Sequence, residues 1–256
     1  MALLAGAEEP LTRLPRAKRL ERRALGGESA AAIGALSLLC GCLPDGPPTE
    51  EPMVVEAEEA DAPLVRFSDR FDRTAVGPDW RATGDGFRIQ DGALCVSEAR
   101  NHGLWLAHRL PQRVRIEFDA WARSPEGDIK VELFGDGRSF ARDDRYDHAT
   151  GYVAVFGGWD NSRHVLARLD EHGKDRLEVL LSQGAEDPRA LPVVPDRAYH
   201  FVFERRSIDR LTWTVNGVAL LEYRDPTPLL GEAHAYFGFN DWTAPVCFDN
   251  LEILAF

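Results

Sequence analysis

Residues 151–176, GYVAVFGGWDNSRHVLARLDEHGKDR, decide how the rest of the chain is read. Residues 152–156 form an apolar run of strand length, Gly157-Gly158 a tight turn, and Trp159, Asp160 and Asn161 a polar tip. A second strand, residues 164–169, leads back and ends at Asp170-Glu171-His172. Short apolar runs punctuated by Gly and Asn are the pattern of a hairpin. An aromatic ring, a carboxylate and an amide at the tip can stack on a flat ligand face and hydrogen-bond its edge. Arg168 follows on the return strand. Residues 237–242, FGFNDW, repeat the order of strand, Asn, Asp and Trp. Trp159, Asp160, Asn161, Arg168, Asn240 and Trp242 are therefore the candidate ligand-binding residues. Glu132, Glu171 and His172 are the candidates for acid–base work.

The same cadence runs outward from this hairpin. From Leu64 onward, short apolar or alternating runs are separated by Gly, Pro, Asp and Asn, which predicts about a dozen strands and no helix of consequence. Asp91-Gly92 and Asn216-Gly217 each sit between two such runs, a strong two-residue hairpin signal. Residues 113–123 alternate cleanly, with Val114, Ile116, Phe118 and Ala120 on one face and Arg115, Glu117 and Asp119 on the other. Residues 129–134 alternate as well and stop at Gly135-Asp136-Gly137; a charged loop, residues 138–149, follows. Residues 67–80 read as an entry segment anchored to the core by Phe67, Phe71 and Trp80. Strands that each bury one face predict an all-β antiparallel sandwich for residues 64–256.

Several motifs carry a resemblance. Phe67-x-Asp69-x-Phe71-Asp72, Trp80 through to Ile89-x-Asp91-Gly92-x-Leu94, and the strand of residues 115–119 are three of them. Trp213-x-Val215-Asn216-Gly217 and residues 248–253 (FDNLEI) complete the set. Together they resemble the concanavalin A-like lectin/glucanase superfamily over the whole of residues 64–256. The resemblance implies a jelly roll of two sheets and a carbohydrate partner. Glycosidases of that superfamily carry Glu-x-Asp-x-x-Glu on one strand. Here Glu117 and Asp119 are followed by Ala120, Trp121 and Ala122, so the third carboxylate is missing. The resemblance also places Asp249 where members can hold a structural Ca²⁺. No other cofactor is expected, and the seven His residues show no metal-ligand spacing. Carbohydrate binding is thus the first reading. A glycan-cleaving enzyme is the second, and a structural or protein-binding module the third.

The N-terminal portion is organised differently. A basic run from Arg13 to Arg23 precedes an apolar stretch, residues 30–39, that is too short to span a bilayer but suits a signal-peptide core. Leu39-Cys40-Gly41-Cys42 then resembles the lipobox of a bacterial lipoprotein, which makes residues 1–42 a signal and Cys42 the lipidated residue. Residues 43–63 are rich in Pro, Glu, Asp and Ala and poor in aromatics, the composition of a disordered tether. The expected address is a bacterial cell envelope, with membrane contact through the lipid. A formal net charge of −12 lacks the basic face that nucleic acid requires, so no such partner is expected. Cys95 and Cys247 remain. In an exported domain they are either paired or buried as free thiols.

Overall fold

The computed structural model describes residues 64–143 and 145–256. The expected lipidation at Cys42, the expected signal over residues 1–42 and the expected tether over residues 43–63 lie outside the described residues. Strands follow in chain order as β1 (Arg66–Asp69), β2 (Trp80–Ala82), β3 (Arg88–Gln90), β4 (Ala93–Val96) and β5 (Leu104–Leu106). Next come β6 (Val114–Ala122), β7 (Ile129–Gly135), β8 (Tyr152–Gly157), β9 (Arg163–Arg168) and β10 (Leu177–Leu180). The last are β11 (Tyr199–Ser207), β12 (Arg210–Val215), β13 (Val218–Arg224), β14 (Tyr236–Asn240) and β15 (Val246–Ala255). Among the described residues no helix is long and apolar enough to cross a membrane.

These strands form two antiparallel sheets packed as a jelly-roll sandwich. One sheet has the order β13-β12-β11-β6-β15-β4-β3, with β1 also paired to β15; the other has the order β10-β9-β8-β7-β14-β5-β2. The core between them is aromatic. Phe118 stacks on Phe201 at 5.0 Å between ring centroids and meets Phe239 edge-on at 5.5 Å. Strand β6 shows why these residues make a sheet: its inward positions are buried, and Arg115, Glu117, Asp119 and Trp121 alternate with them toward solvent. Both expected hairpins are present. Asp91 and Gly92 between β3 and β4 have φ of 53° and 76°; Asn216 and Gly217 between β12 and β13 have 49° and 78°. That double left-handed pair is what a two-residue turn matched to strand twist demands.

The entry segment is anchored to the core as expected, and it does more than that. It also supplies strands at both ends, because residues 66–69 pair with residues 251–254 of β15 and residues 80–82 with residues 104–106 of β5. Trp80 does join the core, against Phe71 and Phe239 at 5.8 and 5.4 Å, and its indole N–H donates to Asp69 at 2.8 Å. Cys95 and Cys247 occupy directly paired positions of β4 and β15 and form a disulfide. It locks the N- and C-terminal parts of one sheet together.

Candidate functional site

Strand β7 organises the site because both of its faces are covered. Ile129, Val131 and Leu133 point into the core. Lys130 and Glu132, on the opposite face, are buried too, at 3% and 1% exposure. Part of that outer face is covered by the connection between β7 and β8, whose Tyr146 is fully buried against Val153, Val155, Val165 and Ala167. Trp105 of β5 fixes the same connection by donating to the Ser139 carbonyl at 3.0 Å. Its ring fits because Gly135 and Gly238 lie against it; a Cβ on Gly135 would come within 2.4 Å of the indole.

Glu132 is the anchor of this cover. Its carboxylate accepts from the Tyr146 hydroxyl and from the backbone N–H of Thr150 and Gly151, at 2.9 and 2.7 Å for the last two. Burial pushes the carboxyl up to about 7 against those donors. Glu132 is therefore enclosed beneath the connection and separate from the open cleft. Nor is it the partner of Lys130.

The uncovered part of the outer face is a cleft of about 470 Å³. It is lined by Trp159, Asp160, Glu171, His172 and Trp242, which the sequence had singled out from two separate stretches. Glu98, Glu126, Asp128, Lys130, Thr243 and Ala244 complete the lining. Lys130 follows from the same alternation as Glu132, since residues 130 and 132 share a strand face, whereas Asp128 precedes the strand in a turn with φ of 63°.

A buried ion pair sits at the centre. Lys130 Nζ lies 2.9 Å from Glu171 Oε2 and donates to Asn101 Oδ1 at 2.8 Å. Burial alone would raise the Glu171 carboxyl, but the Lys130 ammonium, helped by His172 at 3.4 Å, holds it below the ordinary range. The neighbouring acids behave oppositely. Burial pushes Asp128 up to about 6, with Lys130 opposing and the charges of Glu171 and Asp160 adding to the rise. Burial likewise carries Asp241 to about 7, and the Asp128 charge contributes. The Asp128 carboxylate also receives the Trp242 backbone N–H at 3.3 Å, which ties the second tryptophan to the floor.

The tip carrying the first tryptophan is held in an unusual conformation. Gly157 has a φ of 75°, and Trp159, Asp160 and Asn161 have φ of 52°, 55° and 57°. For a residue with a Cβ the left-handed region costs roughly 1–2 kcal/mol, so three in succession need external support. Asn161 provides it: its amide donates to the carbonyls of Pro125 and Val193 at 3.0 and 2.8 Å and accepts from Val193 N–H at 2.9 Å. His164 adds a bond from Gly157 N–H to its Nδ1 at 2.9 Å. Burial lowers the His164 imidazole to about 3, so it stays neutral and keeps that acceptor. Trp159 itself is half-buried, with the guanidinium groups of Arg176 and Arg163 at 4.9 and 5.6 Å from its ring and His172 edge-on. Arg100 lies 5.5 Å from the Trp242 ring.

Three other sequence candidates lie apart from the cleft lining. Asn161 braces the tip, as described. Arg168 binds Asp225 Oδ2 at 2.8 Å and the Thr227 carbonyl at 2.9 Å. Asn240 is buried beside Lys130 in the β14–β7 register and accepts the Asp241 N–H at 2.7 Å. Glu117 and Asp119 lie on the outer face of the other sheet, where Arg115 holds the first at 2.9 Å and His200 the second at 2.8 Å. Asp249 accepts the N–H of its neighbour Asn250 at 2.7 Å. Among the described residues no group of three or more His, Cys, Asp and Glu is arranged to hold a metal ion.

No protein-family model and no curated protein matches the chain. Solved structures do. One, from work on endo-acting O-glycanases that the human gut microbiota express to initiate mucin breakdown, is 11% identical. The match covers 74% of this chain and 98% of that one, with a TM-score of 0.50. A sialidase is 7% identical over 75% of this chain and 18% of its own, with a TM-score of 0.51. The carbohydrate-binding module CBM66 of Bacillus subtilis is 12% identical, covering 70% of this chain and 96% of that one, with a TM-score of 0.49. Identities this low speak of architecture alone, and what the first two share with this chain is the two-sheet antiparallel sandwich.

Proposed function

We propose that residues 64–256 are a carbohydrate-binding domain of the concanavalin A-like kind, with the sugar seated between Trp159 and Trp242. The observation that carries this reading is the convergence of two half-exposed indoles, one from the β8–β9 hairpin and one from the β14–β15 connection between the sheets, on one cleft with a hydrogen-bonding floor. Indoles offer the apolar faces that pyranose rings stack on, while Asp128, Asp160 and His172 can meet hydroxyl groups at the ring edge. A strained tip held by dedicated braces is also the kind of backbone that collects at binding sites. A glycan array probed with the chain should show retention, and Trp159→Ala and Trp242→Ala should each lose it. Retention unchanged in both variants would remove the cleft from consideration.

A glycan-cleaving reading is favoured by one further observation. Asp128, with its carboxyl near 6, lies beside the ionised Glu171, and two carboxyl groups whose environments drive them apart are the pattern of an acid and its partner. Release of reducing ends from a retained glycan, lost in Asp128→Asn, would decide for it.

The address belongs to the same proposal. A signal over residues 1–42, lipidated Cys42 and the tether of residues 43–63 would hold the domain at a bacterial cell envelope. The Cys95–Cys247 disulfide supports export, since such bonds persist in oxidising compartments. Mass spectrometry of the membrane fraction should find Cys42 acylated as the first residue; a soluble chain retaining residues 1–41 would refute the anchor.

A further inference from the structure

We propose that the cleft selects glycans bearing free amino groups, such as deacetylated hexosamine units, over neutral and acidic ones. This rests on the carbohydrate reading above and adds a charge class to it. Five carboxylates line the cleft, Glu98, Glu126, Asp128, Asp160 and Glu171, against one ammonium, Lys130. The charges already matched can be set aside. Lys130 is taken by Glu171 at 2.9 Å, and Glu98 is met by Arg100 at 3.3 Å. Arg163 and Arg176, the cations beside Trp159, share one carboxylate, Glu178, at 3.2 Å each, so one positive charge remains there against the three carboxylates that follow. Glu126, Asp128 and Asp160 are left with no ion pair among the described residues.

Their placement relative to the rings is what points to a ligand. Asp160 follows Trp159 directly in the left-handed tip, and Asp128 binds the Trp242 backbone at 3.3 Å. A carboxylate with no ion-pair contact of its own thus stands beside each indole that would carry a sugar face. An ammonium on a stacked pyranose would meet these carboxylates in hydrogen bonds roughly twice as strong as neutral ones. An N-acetyl group offers no charge in return for covering the floor. A uronate would bring a like charge against the same carboxylates and be rejected.

Calorimetric titration of the full chain with glucosamine, N-acetylglucosamine and galacturonate oligomers of equal length tests this. The glucosamine oligomer should bind at least about tenfold more tightly than its acetylated counterpart, with affinity that falls as salt is raised, and the galacturonate oligomer should give no binding. Asp160→Asn, an exposed position that need not disturb folding, should narrow the preference, and Asp128→Asn should narrow it further. Glu252→Gln, on the other sheet, should leave it intact. Equal or tighter binding of the acetylated oligomer would overturn the charge inference and leave the carbohydrate reading standing. Binding of no oligomer would overturn both. Glucosamine binding that persists unchanged in Trp242→Ala and both aspartate variants would show adsorption of a cation elsewhere on an acidic chain, and the inference would fall.

Discussion

Lys130→Met should lower the melting temperature of the domain by about 10 °C. Lys130 is 3% exposed, and its ammonium faces Glu171 at 2.9 Å with Asp128 and Asp241 as further charge partners. Removing one member of a buried pair leaves its partner charged and uncompensated, an effect of about 3–5 kcal/mol. In a domain of this size each kcal/mol corresponds to roughly 2–4 °C. The deficit should also depend on pH, and its sign can be worked out. Asp128 and Asp241 titrate near 6 and 7 in the fold, above their ordinary 3.8. The stability tied to their protonated forms is present at low pH and lost as pH rises through those values. Without Lys130 the ionised forms lose their nearby cation, so the gap to wild type should widen between about pH 5 and pH 8. Lys130→Met combined with Glu171→Leu should regain part of the loss, because the pair is then removed together. A variant that melts with wild type at both pH values would show that the ion pair holds nothing together.

Trp80→Ala should be comparably destabilising, for a different reason. Trp80 is 7% exposed, packs against Phe71 and Phe239, and gives its N–H to Asp69. Replacing a buried Trp by Ala removes apolar contact and leaves a cavity, a loss of about 3–5 kcal/mol. It also strips Asp69 of one of the donors that hold its carboxyl low; burial opposes them, and Arg73 is the other main contributor. Trp159→Ala and Trp242→Ala should lie well below that loss in denaturant titrations, since both rings are half-exposed at the cleft. A Trp80 variant as stable as the cleft variants would contradict the core assignment.

Much of the sandwich is legible in the chain because burying one face imposes a period of two. Strand β6 reads directly as inward Val114, Ile116, Phe118 and Ala120. The two hairpin turns are equally local, resting on Asp91-Gly92 and Asn216-Gly217. Strands β1 and β2 escape such reading because each is short and becomes a strand by pairing with β15 or β5, far away in sequence. At the site, Trp159, Asp160, Glu171, His172 and Trp242 could be singled out by residue type near strand ends. What alternation cannot say is whether something lies over a face. It puts Lys130 and Glu132 together, and the β7–β8 connection then encloses Glu132 and leaves Lys130 at the cleft, where Asp128 joins it from the turn before β7. Nor does residue type reveal that Asn161, Arg168 and Asn240 have their hydrogen bonds committed within the fold.

Fluorine NMR of chain labelled with 5-fluorotryptophan, titrated with a retained glycan, tests the cleft most directly. The chain has six tryptophans, and Trp105 and Trp213 are fully buried while Trp121 packs beside the disulfide on the outer face of the other sheet. The account predicts that the Trp159 and Trp242 resonances shift together with ligand concentration and that those of Trp80, Trp105, Trp121 and Trp213 stay in place. A shift at Trp121 with Trp159 and Trp242 unmoved would place the ligand on the opposite sheet and contradict the account.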